Sequence, residues 1–272
     1  MTAFRMVSRV SIALQAHRYR YVFILAHMRS GSSLLAHIMN SHPDFVAAGE
    51  TRCTYRSSSD FQNLPLMTSQ ILHKPILLRT FVVDKIVYNE FIPNYEVLNS
   101  RLLYKCLILI RDPESTLKSL VKRGTDPNDD LFGYRDEKAL QYYIDRLNVL
   151  TRYGLLLRER ALLVEYDELV GWTEDTLATL TRFFGVRRAF TSHYGTHRAT
   201  GRFDDPSLYI RAGRIVRTPD NGFVIDQESL TAASIAFRQC RKRLEAAGVH
   251  VVRREPQPGR AVAQQNLELP AN

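Results

Sequence analysis

Met28-Arg29-Ser30-Gly31-Ser32-Ser33-Leu34 follows an uninterrupted apolar run, Tyr21 to Ala26, and leads into a stretch carrying Leu35, Ile38 and Met39. A buried strand, a Gly/Ser turn and a helix, in that order, gather backbone N–H groups and a helix N-terminus around one point. An anion is stabilised there. The serine hydroxyls add donors, and Arg29 can make two parallel bonds to phosphate oxygens. The loop lacks the first Gly and the Lys of the Gly-x-x-x-x-Gly-Lys-Ser/Thr pattern, which counts against ordinary ATP or GTP binding. A turn that uses Ser as a helix cap fits the same residues, so this loop alone leaves both readings open. A second junction of the kind is Arg111-Asp112-Pro113, at the end of the apolar run Tyr104 to Ile110, with Ser119 eight residues beyond Arg111.

Two such loops can meet only if parallel strands bring their carboxyl ends to one edge of a sheet. Expected strands cover 21–26, 45–48, 80–86, 104–110 and 161–164. Expected helices carry Leu34 to Met39, begin at Pro113, span 134–157 and 174–184, and span 227–247. Apolar positions 140, 143, 147, 150 and 157 give the long helix one packed face. Gly185 stops the helix before it, as a left-handed C-cap. Strands alternating with helices imply an α/β, P-loop-like three-layer fold: a central parallel sheet flanked by helices, with ligands beyond the strand ends. One domain is expected over 1–252, with a polar, disordered tail over 253–272. The stretch 193–219, rich in Gly, Asp, Arg and Pro, reads as a functional loop.

The paired signature, Arg29-Ser30-Gly31-Ser32-Ser33 and Arg111 with Ser119, resembles that of PAPS-dependent sulfotransferases, where PAPS is 3′-phosphoadenylyl sulfate. The resemblance implies that the first loop, with Leu34, holds the 5′-phosphosulfate, while Arg111 and Ser119 hold the 3′-phosphate. Val164-Glu165-Tyr166-Asp167-Glu168-Leu169 is similar to a family segment whose tyrosine, here Tyr166, lies near the adenine. Thr200 to Ser207, running on to Arg211-Ala212-Gly213, is similar to the late loop that closes over the 3′-phosphate. One departure stands at the loop entry, where Met28 replaces the usual proline.

Sulfuryl transfer requires an acceptor that loses a proton, a stabilised leaving oxygen, and alignment of the two. The cytosolic branch of the family uses a histidine on the strand before the Arg-Asp-Pro strand, but no histidine lies between His73 and His193. Gly49-Glu50-Thr51-Arg52 resembles instead the segment that supplies a glutamate base in tyrosylprotein sulfotransferases, and Glu50 follows Arg29 by 21 residues. The resemblance thus implies Glu50 as general base, Arg52 as an acceptor-orienting group, and Lys85 with Arg29 on the leaving oxygen. His27, His37 and His42 lack zinc-ligand spacing and are expected to pack or cap; no metal cofactor is expected. His193 and His197 receive no role.

The 37 Lys and Arg residues against 28 Asp and Glu give a net charge of +9, which favours an anionic partner. That charge also admits a nucleic-acid-binding protein, although no helix-turn-helix, zinc-finger or aromatic RNA-reading motif is present. A phosphotransferase (kinase) with a variant phosphate loop is the other alternative. Cys53, Cys106 and Cys240 are scattered, which favours a reducing compartment. No secretory signal or membrane span is seen, so a cytoplasmic protein acting on a small-molecule acceptor is expected: a natural product, lipid or carbohydrate. The acceptor pocket is expected in the loops 54–75, 123–135 and 190–210.

Overall fold

A computed structural model describes residues 18–76, 79–91, 93–124, 136–201, 208–217 and 222–252 of the chain. Within them six parallel strands form one sheet: β1 (Arg20–Ala26), β2 (Phe45–Ala47), β3 (Phe81–Ile86), β4 (Leu103–Ile110), β5 (Ala161–Glu165) and β6 (His250–Val251). Their spatial order is β2-β3-β1-β4-β5-β6, so β1 is central. Val22 to Ala26 are fully buried. An unbroken apolar run is what a parallel strand covered on both faces requires.

The helices are α1 (Ser32–Ser41), α2 (Asn63–Leu72), α3 (Tyr95–Asn99), α4 (Pro113–Gly124), α5 (Asp136–Leu157), α6 (Tyr166–Gly171), α7 (Thr173–Phe184) and α8 (Gln227–Ala246). The chain leaves β1 for β2 in one direction and crosses back from β3 to β4 in the other. Right-handed crossovers of opposite direction put helices on both faces of the sheet. Register then levels the strand ends: Leu25 lies opposite Ile86, Ala26 opposite Leu109, and Ile110 opposite Glu165. The segments after β1, β3, β4 and β5 therefore leave from one edge.

One expectation changes: the stretch 54–75, expected as a variable loop, contains α2 and two fully buried rings. Phe61 stacks on Tyr21 at 4.6 Å and Tyr55 lies 4.8 Å from Phe23, which ties the segment to β1. The short helices α3 and α6 and the two-residue β6 were not foreseen; each is too short to set up a readable period. Residues 125–135, 202–207 and the tail 253–272 lie outside the described residues.

Candidate active site

The first loop is built on two left-handed residues. Arg29 has φ +65° and Gly31 φ +87°, with Ser30 between them. A side chain in that region carries strain, which Gly31 avoids by lacking Cβ. Such alternation turns successive N–H groups into a concavity suited to an anion. Gly31 is the N-cap of α1 and no side chain caps the helix. Ser30 does not serve as a cap, since its hydroxyl donates backward to the carbonyl of His27 at 2.7 Å. The first-turn amides thus face the concavity uncapped, and the Ser-capped alternative loses its support.

Arg111 and Ser119 meet this loop directly. Arg111 Nη1 donates to the Arg29 carbonyl at 3.2 Å, and Arg29 Nε donates to Ser119 Oγ at 2.8 Å. Tyr166, buried at the start of α6, fills the space between them. The Arg111 guanidinium lies 4.2 Å over its ring, and a Cβ on Gly31 would come within 2.5 Å of its Cδ2. Gly31 is therefore required twice, by its backbone angle and by this ring.

His27 joins the two strand tips, a role its sequence position did not reveal. Its Nε2 accepts from the Arg111 N–H at 2.9 Å, so Nδ1 carries the proton and donates to the Met28 carbonyl at 2.8 Å. Burial, with Arg111 and Arg146 nearby, lowers its pKa to about 3 from 6.5. In the unfolded chain the imidazole titrates at the ordinary value. Stability from His27 is thus full above about pH 6.5 and is lost as pH falls from there toward 3. Asp84, whose buried carboxyl is raised to about 6, gains stability over the same interval as pH falls, so the two groups oppose each other. The contribution of His27 is therefore read as a difference: the wild-type urea midpoint should lose ground relative to His27→Gln between about pH 6.5 and pH 5, and a constant difference would clear His27 of this role.

On the other flank of the loop, Lys85 at the end of β3 donates to Ser33 Oγ at 2.8 Å and pairs with Glu50 Oε1 at 3.0 Å. Both side chains are largely shielded from solvent, 2% and 12% exposed. Glu50 is held there by its neighbours. The Thr51 N–H and hydroxyl, the Tyr55 hydroxyl and the Lys85 N–H all donate to Asp84 at 2.7–3.1 Å. Burial pushes the Asp84 carboxyl up to about 6 even against these donors. A narrow cleft opens beside the pair, lined by Glu50, Arg52, Lys85, Val87, Tyr88 and Phe91 among others. Tyr88 hydrogen-bonds Glu50, and burial together with that carboxylate pushes its phenol up to about 12. Arg52, in the left-handed region at φ +55°, stands 6.0 Å from the Tyr88 ring. Sequence reasoning missed Asp84, Tyr88 and Phe91, none of which belongs to a motif.

The late loop attaches through α1. His37 bonds the Thr200 hydroxyl at 2.9 Å and stacks on His197 at 4.7 Å. Arg211 donates to the Thr200 carbonyl at 3.3 Å, and the Gly213 carbonyl accepts from the Tyr194 N–H at 2.9 Å. Arg211, Ala212 and Gly213 thus belong to a segment braced on α1, with Arg211 and Ala212 in a 3₁₀ turn. Residues 202–207 of the same loop lie outside the described part.

Beneath the site, α5 reaches up to the strand ends. Arg146 is fully buried and donates to the carbonyls of Ala26 at 2.8 Å, Ile86 at 2.6 Å and Tyr88 at 3.3 Å, and to Asn89 Oδ1 at 3.1 Å. Tyr143 donates to the Arg111 carbonyl at 2.8 Å. Among the described residues no three His, Cys, Asp or Glu side chains group to hold a metal ion, and no helix is long and apolar enough to cross a membrane.

Fold and site together define a parallel α/β protein with an uncapped helix N-terminus and several cations at one sheet edge. No family profile and no curated protein matches the chain by sequence. Solved structures match it by fold. A sulfotransferase domain from the curacin biosynthetic pathway superposes with a TM-score of 0.57 at 19% identity, covering 80% of this chain and 97% of that one. A mouse sulfotransferase, SULT7A1 complexed with PAP, gives a TM-score of 0.43 at 14% identity over 90% of this chain and 83% of that one. The chain has the fold of the curacin-pathway sulfotransferase domain.

Proposed function

We propose that the protein is a PAPS-dependent sulfotransferase that acts on a hydroxyl or amine of a small-molecule acceptor and releases 3′,5′-ADP. The observation that carries this reading is the meeting of two strand tips, through Arg111 on the Arg29 carbonyl and Arg29 on Ser119. In this reading the amides of Ser30 to Leu34 take the 5′-phosphosulfate, and Arg111 with Ser119 takes the 3′-phosphate. Tyr166 borders the adenine, while Arg211, Ala212 and Gly213 close the nucleotide from the α1 side.

The chemistry falls on the opposite flank. Glu50 takes the proton from the acceptor as its oxygen or nitrogen bonds to sulfur and the sulfur–phosphate oxygen bond breaks. The charge left on the departing oxygen is met by Lys85 and Arg29. Lys85 stands between Ser33 and Glu50, so the leaving-group donor and the proton acceptor flank one point. A sulfuryl group carries less charge than a phosphoryl group, and fixed cations can serve where kinases use Mg²⁺. In this reading the acceptor, a natural product, lipid or carbohydrate, approaches Glu50 from the cleft that Arg52 and Phe91 also line, and Arg52 orients it.

Calorimetry with 3′,5′-ADP and transfer of labelled sulfate from PAPS to a panel of acceptors test the reading. Arg111→Ala is expected to weaken 3′,5′-ADP binding by about tenfold to a hundredfold, because a charge-assisted bond to phosphate is lost. A wild-type protein that binds neither PAPS nor 3′,5′-ADP at micromolar concentration sinks it. Activity that needs ATP and Mg²⁺ would point to phosphoryl transfer, and steeply salt-dependent DNA binding to a nucleic-acid role.

A further inference from the structure

Tyr142, on α5, makes two bonds with one hydroxyl. It accepts from the Met28 N–H at 2.8 Å and donates to the Val87 carbonyl at 2.8 Å. Met28 is the entry to the first loop, and Val87 lies two residues beyond Lys85. Both are buried, at 3% and 2% exposure, so water does not readily replace the tyrosine. The loop's far end is tied to the same strand, through Lys85 Nζ on Ser33 Oγ at 2.8 Å. Entry and exit of the loop are therefore both fastened to the end of β3, one through Tyr142 and one through Lys85.

From this geometry we infer that Tyr142 is a positioning residue: it locks the anion cradle to the strand end that carries Lys85, so that the two hold one relative placement. The hydroxyl alone does this, since a phenyl ring of the same shape would fill the space without bonding either partner. Its loss leaves a buried N–H and a buried carbonyl unpaired at the mouth of the loop. The loop, whose Arg29 already sits in the left-handed region, then has one fewer restraint holding it in the strained form. The inference concerns the site assigned above and rests on the sulfotransferase reading for its ligand.

Four proteins test it: wild type, Tyr142→Phe, Met28→Pro and the double variant. Proline has no N–H, so Met28→Pro removes the donor that Tyr142 serves and stiffens the entry by other means. Tyr142→Phe is expected to weaken 3′,5′-ADP binding about tenfold. Met28→Pro removes one of the two bonds of Tyr142 and should itself weaken binding, and the double variant should bind no more weakly than Met28→Pro alone. An equal loss in both backgrounds, or no loss in the wild-type background, overturns the inference. A second measurement needs no nucleotide and no proline variant: amide hydrogen exchange of Tyr142→Phe. Exchange at Arg29 to Ser33 should quicken about tenfold while the α8 amides keep their wild-type rates. Unchanged exchange at the loop, or a uniform rise across the protein, equally overturns it. If wild type fails to bind the nucleotide, the sulfotransferase reading falls, and the exchange result still judges Tyr142.

Discussion

Glu50→Gln is expected to lower turnover by about 10²–10⁴ while leaving 3′,5′-ADP affinity at the wild-type value. Glutamine keeps the shape and a hydrogen-bond acceptor for Lys85, which still holds Ser33 at 2.8 Å. The anion cradle does not depend on the carboxylate: its amides, Arg111 and Ser119 lie on other elements. What disappears is the carboxylate that the proposed function assigns to the acceptor's proton. Single-turnover transfer of labelled sulfate and calorimetry with 3′,5′-ADP, run on the same preparation, separate the two quantities. Near-normal turnover would refute Glu50 as base and direct attention to Tyr88, which shares its hydrogen bond. A parallel loss of nucleotide affinity would instead make Glu50 a structural partner of Lys85.

Arg146→Leu should be strongly destabilising, at roughly 3–5 kcal/mol. Replacing a buried ion pair by apolar side chains is often neutral, because both partners go. Here the partners are mainly backbone carbonyls of Ala26, Ile86 and Tyr88, which no side-chain substitution removes. They would be left buried and unpaired, at the strand ends from which the first loop and Lys85 are hung. Against a native stability of about 5–15 kcal/mol, such a loss leaves little in reserve. Arg146→Lys should fall between, since one ammonium cannot match the forked reach of the guanidinium. Urea unfolding of the three proteins checks this. A cost below about 1 kcal/mol for Arg146→Leu would show that the strand ends relax and find other donors.

The local signals and the tertiary ones divide along physical lines. β1, its Gly/Ser turn and α1 were legible because a buried parallel strand needs an unbroken apolar run and a tight turn needs Gly. The Arg111 junction was legible because Pro113 marks a helix start. Both are interactions within a dozen residues, and the chain writes them consecutively. His27 sits beside the loop in the sequence, yet its bond to Arg111 spans 84 positions. The bonds of Tyr142 to Met28 and of Arg146 to Ala26 span 114 and 120. No periodicity or motif carries such distances. The histidine, tyrosine and arginine read there as ordinary polar residues on a strand end and a helix.

The amino-acid order by itself thus determined the alternation of elements, the parallel sheet and the two loops at strand ends. It also offered Glu50, Lys85, Arg29 and Arg111 as candidates, through resemblance rather than through spacing alone. Contact between the two loops, the pairing of Glu50 with Lys85 and the support from Asp84 and α5 became visible once the chain was folded. The reason is that strand register and helix packing are set by the summed burial of the whole core, and a few well-aimed hydrogen bonds then fix the strand ends. Those bonds join residues that the sequence keeps far apart.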